Sequence, residues 1–304
     1  MSIRYRILST VIRLMGIKKF FAKPMDEILA EARAANAKKR FTAPTNHKAV
    51  YQLDTDSNGD QCLRIQRTHH PSTHAVMYLF GGGFITAPDS KDIRAAVKLG
   101  ADLDCDVWMP NYPLCIDHTI DDTYDMVFRC YADMVEVYGA GHVSLIGFSS
   151  GAALALGIGL HNTALGRPLP MPATIVMSSP GLAPCTPEDA AVVDADVDRD
   201  IILDGRFMAR VHTIMTKGKD IPSYMVDGTK GDFRGLPPLH FYFGGDELLV
   251  GFAPRFVEAC QRAGVDYTMV VEPGMCHCYG AVPYFPEGAR GYRQMLTDLR
   301  EAQK

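Results

Sequence analysis

Several features are missing from this 304-residue sequence, and each absence removes a class of function. There is no basic excess: 31 lysines and arginines stand against 35 acidic residues, a net charge of -4. A nucleic-acid-binding surface leaves a basic footprint, so no nucleic-acid partner is expected. No apolar run reaches the roughly 18 residues of a membrane span. The N-terminal "MSIRYRILSTVIRLMGIKKFF" is basic, but Arg4, Arg6 and Arg13 break up its apolar residues. It has neither the continuous apolar region nor the small-residue cleavage site of a signal peptide, so none is expected. The eight cysteines, at 62, 105, 115, 130, 185, 260, 276 and 278, show no repeating spacing. That excludes a disulfide framework and fits reduced thiols used as small hydrophobes in a cytoplasmic protein. Neither His69, His70 and His74 nor Cys276-His277-Cys278 has zinc-like spacing, and no metal is expected. Internal repeats and low-complexity tracts are also absent.

What is present is the composition of a soluble globular protein, 47% hydrophobic and 22% charged. The length suits one large α/β domain or two small ones. Residues 1–45 read as helical. Ile3, Ile7, Val11 and Leu14 fall on one helical face and are expected to pack on the protein's own core or over its pocket; contact with a membrane surface is the rival reading. "KAVYQLD" and "QCLRIQR" flank the turn-rich "TDSNGD" and predict a hairpin. From Ala75 short apolar strands (75–80, 105–110, 143–147, 173–179, 239–244, 267–272) alternate with helical stretches. That pattern predicts a mostly parallel sheet with helices on both faces. The rhythm breaks at 182–236, an insertion with one helical stretch, "GRFMARVHTIMTK". Within it, "DADVDRDIILD" has Arg199 where a calcium loop needs glycine and Gly205 where it needs glutamate, so it reads as a solvated acidic loop.

Gly147-Phe148-Ser149-Ser150-Gly151 matches G-x-S-x-G between an apolar strand and a helix of small residues. The glycine spacing selects Ser149 as nucleophile. Ser150 fits better as a capping or turn serine whose backbone N–H faces a developing oxyanion. A serine hydroxyl needs a base, an acid that orients the base, and oxyanion donors. "YLFGGGFIT" puts Gly81, Gly82 and Gly83 just after a strand, where their unobstructed N–H groups are candidate donors; Phe84-Ile85 follows where a phosphate loop would carry Lys-Ser/Thr. Asp246, just past the strand "LHFYFG", is the expected acid, with Glu247 as its rival. His277 is the only histidine downstream of that acid and the expected base, whereas His240, inside a strand, reads as a satisfied core histidine. Phe84 and Phe148 flank these groups as candidate substrate contacts.

In order along the chain, "LFGGGF", "NYPLCIDHTIDDTYDMV", "IGFSSGAALA", "GLPPLHFYFGGDELL" and "MCHCYG" resemble the motifs of the hormone-sensitive-lipase-like esterases, a family with the α/β-hydrolase fold. The similarity runs from about residue 75 to near the end. It implies Ser149, Asp246 and His277 as a triad, with oxyanion donors from Gly82, Gly83 and Ser150. It also implies a helical cap from residues 1–45 and 184–236 over a hydrolase core of 46–183 and 237–304. The family's activity would be hydrolysis of short-chain acyl esters, a small-molecule substrate, without a cofactor. Many members are dimers, so a homodimer is admissible. Phe80 replaces the histidine of the family's His-Gly-Gly-Gly, Phe148 the elbow aspartate and Ala152 its last glycine. Two other readings stand beside the esterase. One is a ligand-binding protein on the same scaffold, as in plant gibberellin receptors, which lack the histidine found here. The other is a lipase working at membranes through the N-terminal helix.

Overall fold

The computed structural model describes every residue from Met1 to Lys304. Three helices come first: α1 (Ile3–Met15), α2 (Ile17–Phe21) and α3 (Met25–Asn36). The expected hairpin follows, β1 (Val50–Thr55) against β2 (Gln61–Gln66). Its turn is tied by the Asp56 carboxylate, which accepts from the N–H groups of Asn58 at 2.8 Å and Asp60 at 2.9 Å. The alternating stretch holds β3 (Ala75–Leu79), α4 (Ser90–Leu103), β4 (Asp106–Asn111), α5 (Ile120–Tyr138), β5 (Val143–Phe148), α6 (Ser150–Ala164) and β6 (Thr174–Ser178). The insertion holds α7 (Pro187–Asp196), α8 (Gly205–Thr216) and α9 (Ser223–Val226). The chain closes with β7 (Leu239–Gly244), α10 (Ala253–Ala263), β8 (Tyr267–Glu272) and α11 (Pro286–Glu301).

The eight strands form one sheet in the order β1-β2-β4-β3-β5-β6-β7-β8. Only β2 runs against its neighbours; β4 through β8 are parallel. This is the α/β-hydrolase architecture. The central strands β3, β5 and β6 are buried at every residue, which is why they read as unbroken apolar runs rather than alternating ones. The helices start where their sequences supply caps. Asp89 with Asp92, Thr119 with Asp122, and Thr186 with Asp189 each form a reciprocal capping box. Helix α6 is buried on nearly all sides. Its small residues allow that: a methyl on Gly157 would lie 2.1 Å from the Tyr124 hydroxyl.

Two expectations fail. Ile3, Ile7, Val11 and Leu14 do not face the protein; all four are exposed, and α1 packs through Tyr5, Leu8 and Ile12 instead. The helix has two apolar stripes, and the one that carries Tyr5 faces inward, its ring packed against Phe285 at 5.1 Å. The acidic stretch 194–204 is also not a solvated loop. Asp200 and Asp204 are buried, spent on backbone N–H groups: Asp200 on Ile202 and Leu203, Asp204 as the cap of α8. The helical content of the insertion exceeds the one predicted stretch, because α7 begins in "PEDAAVVDAD". No helix is long and apolar enough to cross a membrane.

Candidate active site

Strand β5 ends at Phe148 and α6 begins at Ser150, so Ser149 is the single residue of the turn between them. The reversal is so tight that no side chain fits beside it. A methyl on Gly147 would stand 2.1 Å from the Gly151 carbonyl oxygen. One on Gly151 would stand 2.2 Å from the carbonyl oxygen of Leu79 and 2.3 Å from that of Phe80. These contacts explain both glycines of the motif. Ser149 itself has φ 54° and ψ -120°, a conformation that costs a non-glycine residue about 1–3 kcal/mol. Surrounding bonds hold it there. Its N–H donates to the Ser178 carbonyl at 2.9 Å, and its carbonyl accepts from Ala152, Ala153 and Gly181. Ser150 is buried, and its hydroxyl has no hydrogen-bond partner.

His277 lies in the loop after β8. Its Nε2 is 2.8 Å from the Ser149 Oγ, and its Nδ1 is 2.6 Å from Glu247 Oε2. A carboxylate only accepts, so Nδ1–H donates to Glu247, and the bare Nε2 accepts from the Ser149 hydroxyl. The histidine loop is fastened by Cys278, whose N–H donates to Ser179 Oγ at 2.9 Å. Burial disfavours a charged His277, but the Cys278 sulfur and the Glu247 carboxylate more than offset it. The net pull is well above the ordinary histidine value. Burial pushes Glu247 upward in turn, opposed by His277.

The acid that reaches His277 is therefore Glu247, and the expectation for Asp246 is corrected. Glu247 is fully buried, and its Oε1 accepts the Gly244 N–H at 3.0 Å. Asp246 is half-buried and makes no side-chain hydrogen bond; its backbone N–H donates to the Met275 carbonyl at 2.9 Å. The reason lies in Gly244-Gly245. Without side chains, this pair lets the chain press against Glu272–Cys276, so the turn runs one residue further before a side chain points inward. The Leu248 N–H, next to Glu247, donates to the buried Asp200 at 2.8 Å. Asp200 and Ser179 are two positioning residues that sequence reasoning missed.

Gly81, Gly82 and Gly83 leave β3 directly beside Ser149; a methyl on Gly81 would lie 3.2 Å from the Ser149 Cβ. The N–H groups of Gly82, Gly83 and Ser150 donate to no protein acceptor, and all three residues line the same cavity. Phe80 keeps the loop in place by a different route from a histidine. Its fully buried ring stacks on Tyr112 at 4.1 Å and 4°, and the Tyr112 hydroxyl donates to the Phe80 carbonyl at 2.6 Å. The Cys115 N–H donates to the Phe84 carbonyl at 2.7 Å, so the 111–117 stretch braces the loop from behind.

The cavity above Ser149 has a volume of about 310 Å³. Phe84 and Phe148 line it, with Phe21 from α2 and Phe207, Met208 and Val211 from α8. Chemically, the arrangement can pass a proton from a serine hydroxyl to a histidine oriented by a buried carboxylate, next to free N–H donors.

Known proteins share this fold. The family described as alpha/beta hydrolase fold matches residues 76–281. An acetyl-hydrolase of Streptomyces hygroscopicus is 31% identical over 229 residues, 75% of this chain and 75% of that protein. The crystal structure of EstE5 soaked with p-nitrophenyl butyrate superposes with a TM-score of 0.83 at 19% identity, covering 100% of this chain and 99% of that one. An esterase from the bacterial hormone-sensitive lipase family superposes at 0.79 and 20% identity, covering 97% and 98%.

Proposed function

The chain belongs to the alpha/beta-hydrolase fold family and is a carboxylic ester hydrolase; on that premise we propose that it acts like the hormone-sensitive-lipase-like esterases it resembles and hydrolyses short-chain acyl esters through an acyl-enzyme on Ser149. The observation that carries the proposal is the unbroken line from the Ser149 Oγ to His277 at 2.8 Å and on to Glu247 at 2.6 Å. His277 takes the hydroxyl proton as Ser149 attacks the ester carbonyl. Glu247 fixes the tautomer and stabilises the imidazolium. The N–H groups of Gly82, Gly83 and Ser150 receive the oxyanion. When the intermediate collapses, His277 returns the proton to the departing alcohol. Water then enters, gives its proton to His277 and attacks the acyl-enzyme. Collapse of the second intermediate releases the acid, and the proton goes back to Ser149.

The short acyl preference rests on the wall that α2 and α8 set over Ser149, where Phe21, Phe207, Met208 and Val211 leave an apolar cavity of about 310 Å³ for a small acyl group. The acetyl-hydrolase relative points the same way. Residues 1–45 and 184–236 form the cap in this reading, since α2 and α8 supply the apolar wall. The cytoplasm is the matching compartment, supported by cysteines placed in apolar segments. Ser149→Ala is expected to abolish hydrolysis of p-nitrophenyl acetate and butyrate. An organophosphate should label Ser149; a label on Ser150 would overturn the assignment.

A further inference from the structure

The outer face of α1 has no partner within the protein. The helix cannot simply roll to bury it, because its inner face is anchored. Tyr5, Leu8 and Ile12 pack on Ile201, Met275, Cys276 and Phe285. The Ser2 hydroxyl and N–H both donate to Glu287, the hydroxyl at 2.7 Å. The second stripe is left in water, with Ile3 at 76% exposure, Ile7 at 61%, Val11 at 44% and Leu14 at 82%. With Met15 at its end and Met1 just before it, this short segment holds six of the ten large exposed hydrophobics of the chain. Single exposed aliphatics are ordinary, but a contiguous row marks an interaction surface.

Charge says what kind. The first 25 residues contain no acid and six bases: Arg4, Arg6, Arg13, Lys18, Lys19 and Lys23. At 3.6 residues per turn, Arg4 falls on one flank of the stripe and Arg6 and Arg13 on the other. All three arginines are exposed, and their side chains make no ion pair or hydrogen bond. We propose that α1 docks on the surface of an anionic lipid bilayer, with its outer stripe at the acyl boundary and its arginines among the headgroups. A second copy of the chain is the poorer occupant, because a symmetric contact would set two groups of unpaired arginines against each other. Ile202 and Val282 touch the α1 cluster on one side and line the Ser149 cavity on the other. A docked protein thus holds one cavity wall close to the lipid. The docking itself is independent of the serine chemistry.

The test is sedimentation of the full chain with vesicles of phosphatidylcholine alone and of phosphatidylcholine with phosphatidylglycerol. Binding is expected only to the anionic vesicles and should weaken as salt is raised. Ile7→Ser with Val11→Ser should lower partitioning at least tenfold. Arg6→Gln with Arg13→Gln should lower it about thirtyfold. Both variants should keep wild-type hydrolysis of a water-soluble ester, which shows that the fold is intact. Equal sedimentation with the two vesicle types would overturn the proposal. So would a dimer in solution that Ile7→Ser with Val11→Ser dissociates while vesicles recruit nothing, which would assign the stripe to a second copy.

Discussion

Replacing Glu247 by glutamine removes one charge while keeping the side chain's shape. The oxygen that accepts the Gly244 N–H can remain, so the buried site should still fold. What disappears is the carboxylate 2.6 Å from His277 Nδ1. When His277 takes the serine proton, its positive charge lies about 4 Å from that carboxylate. At an effective dielectric of about 20 the pair is worth about 4 kcal/mol, or roughly three decades of rate. The kcat of Glu247→Gln on p-nitrophenyl butyrate is therefore expected to fall about a thousandfold, and that of Asp246→Asn to stay within about twofold. The pH profile supplies a second readout. The base must be neutral, so activity is present above the pKa of His277 and lost as pH falls through it. Because that pKa is raised, the acid limb should lie above the ordinary histidine value of about 6.5. Without the Glu247 charge, the limb should move to lower pH. Organophosphate labelling of Ser149 would confirm that the elbow survives. A thousandfold loss in Asp246→Asn with near-normal activity in Glu247→Gln would refute the reasoning.

Tyr112→Phe keeps the ring stack on Phe80 but removes the hydroxyl from the Phe80 carbonyl. Leaving that acceptor unpaired should cost about 1–3 kcal/mol in a denaturant titration and lower kcat about tenfold with little change in KM. Ser150→Ala deletes a hydroxyl with no partner and should leave esterase activity within about threefold, since only the backbone N–H is used. Asp200→Ala strips the acceptor from the N–H groups of Ile202, Leu203 and Leu248. It should destabilise by about 3 kcal/mol or more and lower kcat through the loosened Glu247 turn, both measurable on the same preparation.

The sheet was legible because fully buried parallel strands must be apolar throughout, and the elbow because only glycine fits at Gly147 and Gly151. His277 was legible through chain order. The acid was not, since the choice between Asp246 and Glu247 depends on how far the Gly244-Gly245 turn carries the backbone, and turn length has no periodic signature. Asp200 was unreadable for a related reason. An aspartate that binds backbone N–H groups looks in sequence like one bound to water. The outward face of α1 was misread because Ile3, Ile7, Val11 and Leu14 have the same spacing as a buried stripe. Periodicity identifies a face but not what it meets.

Ser149, Ser179 and Glu247 stand at or just beyond the ends of β5, β6 and β7, three adjacent strands, and the histidine loop is moored to Ser179. The Ser149 N–H is tied to β6, and the Ser179 N–H is tied to the Tyr242 carbonyl of β7. The reacting groups therefore ride on one stiff raft, and breathing of the sheet carries them together. The cavity's apolar wall belongs to α2 and α8, which stand off that raft. Substitutions that reshape the wall can change which ester is admitted while the distances that move the proton stay as they are.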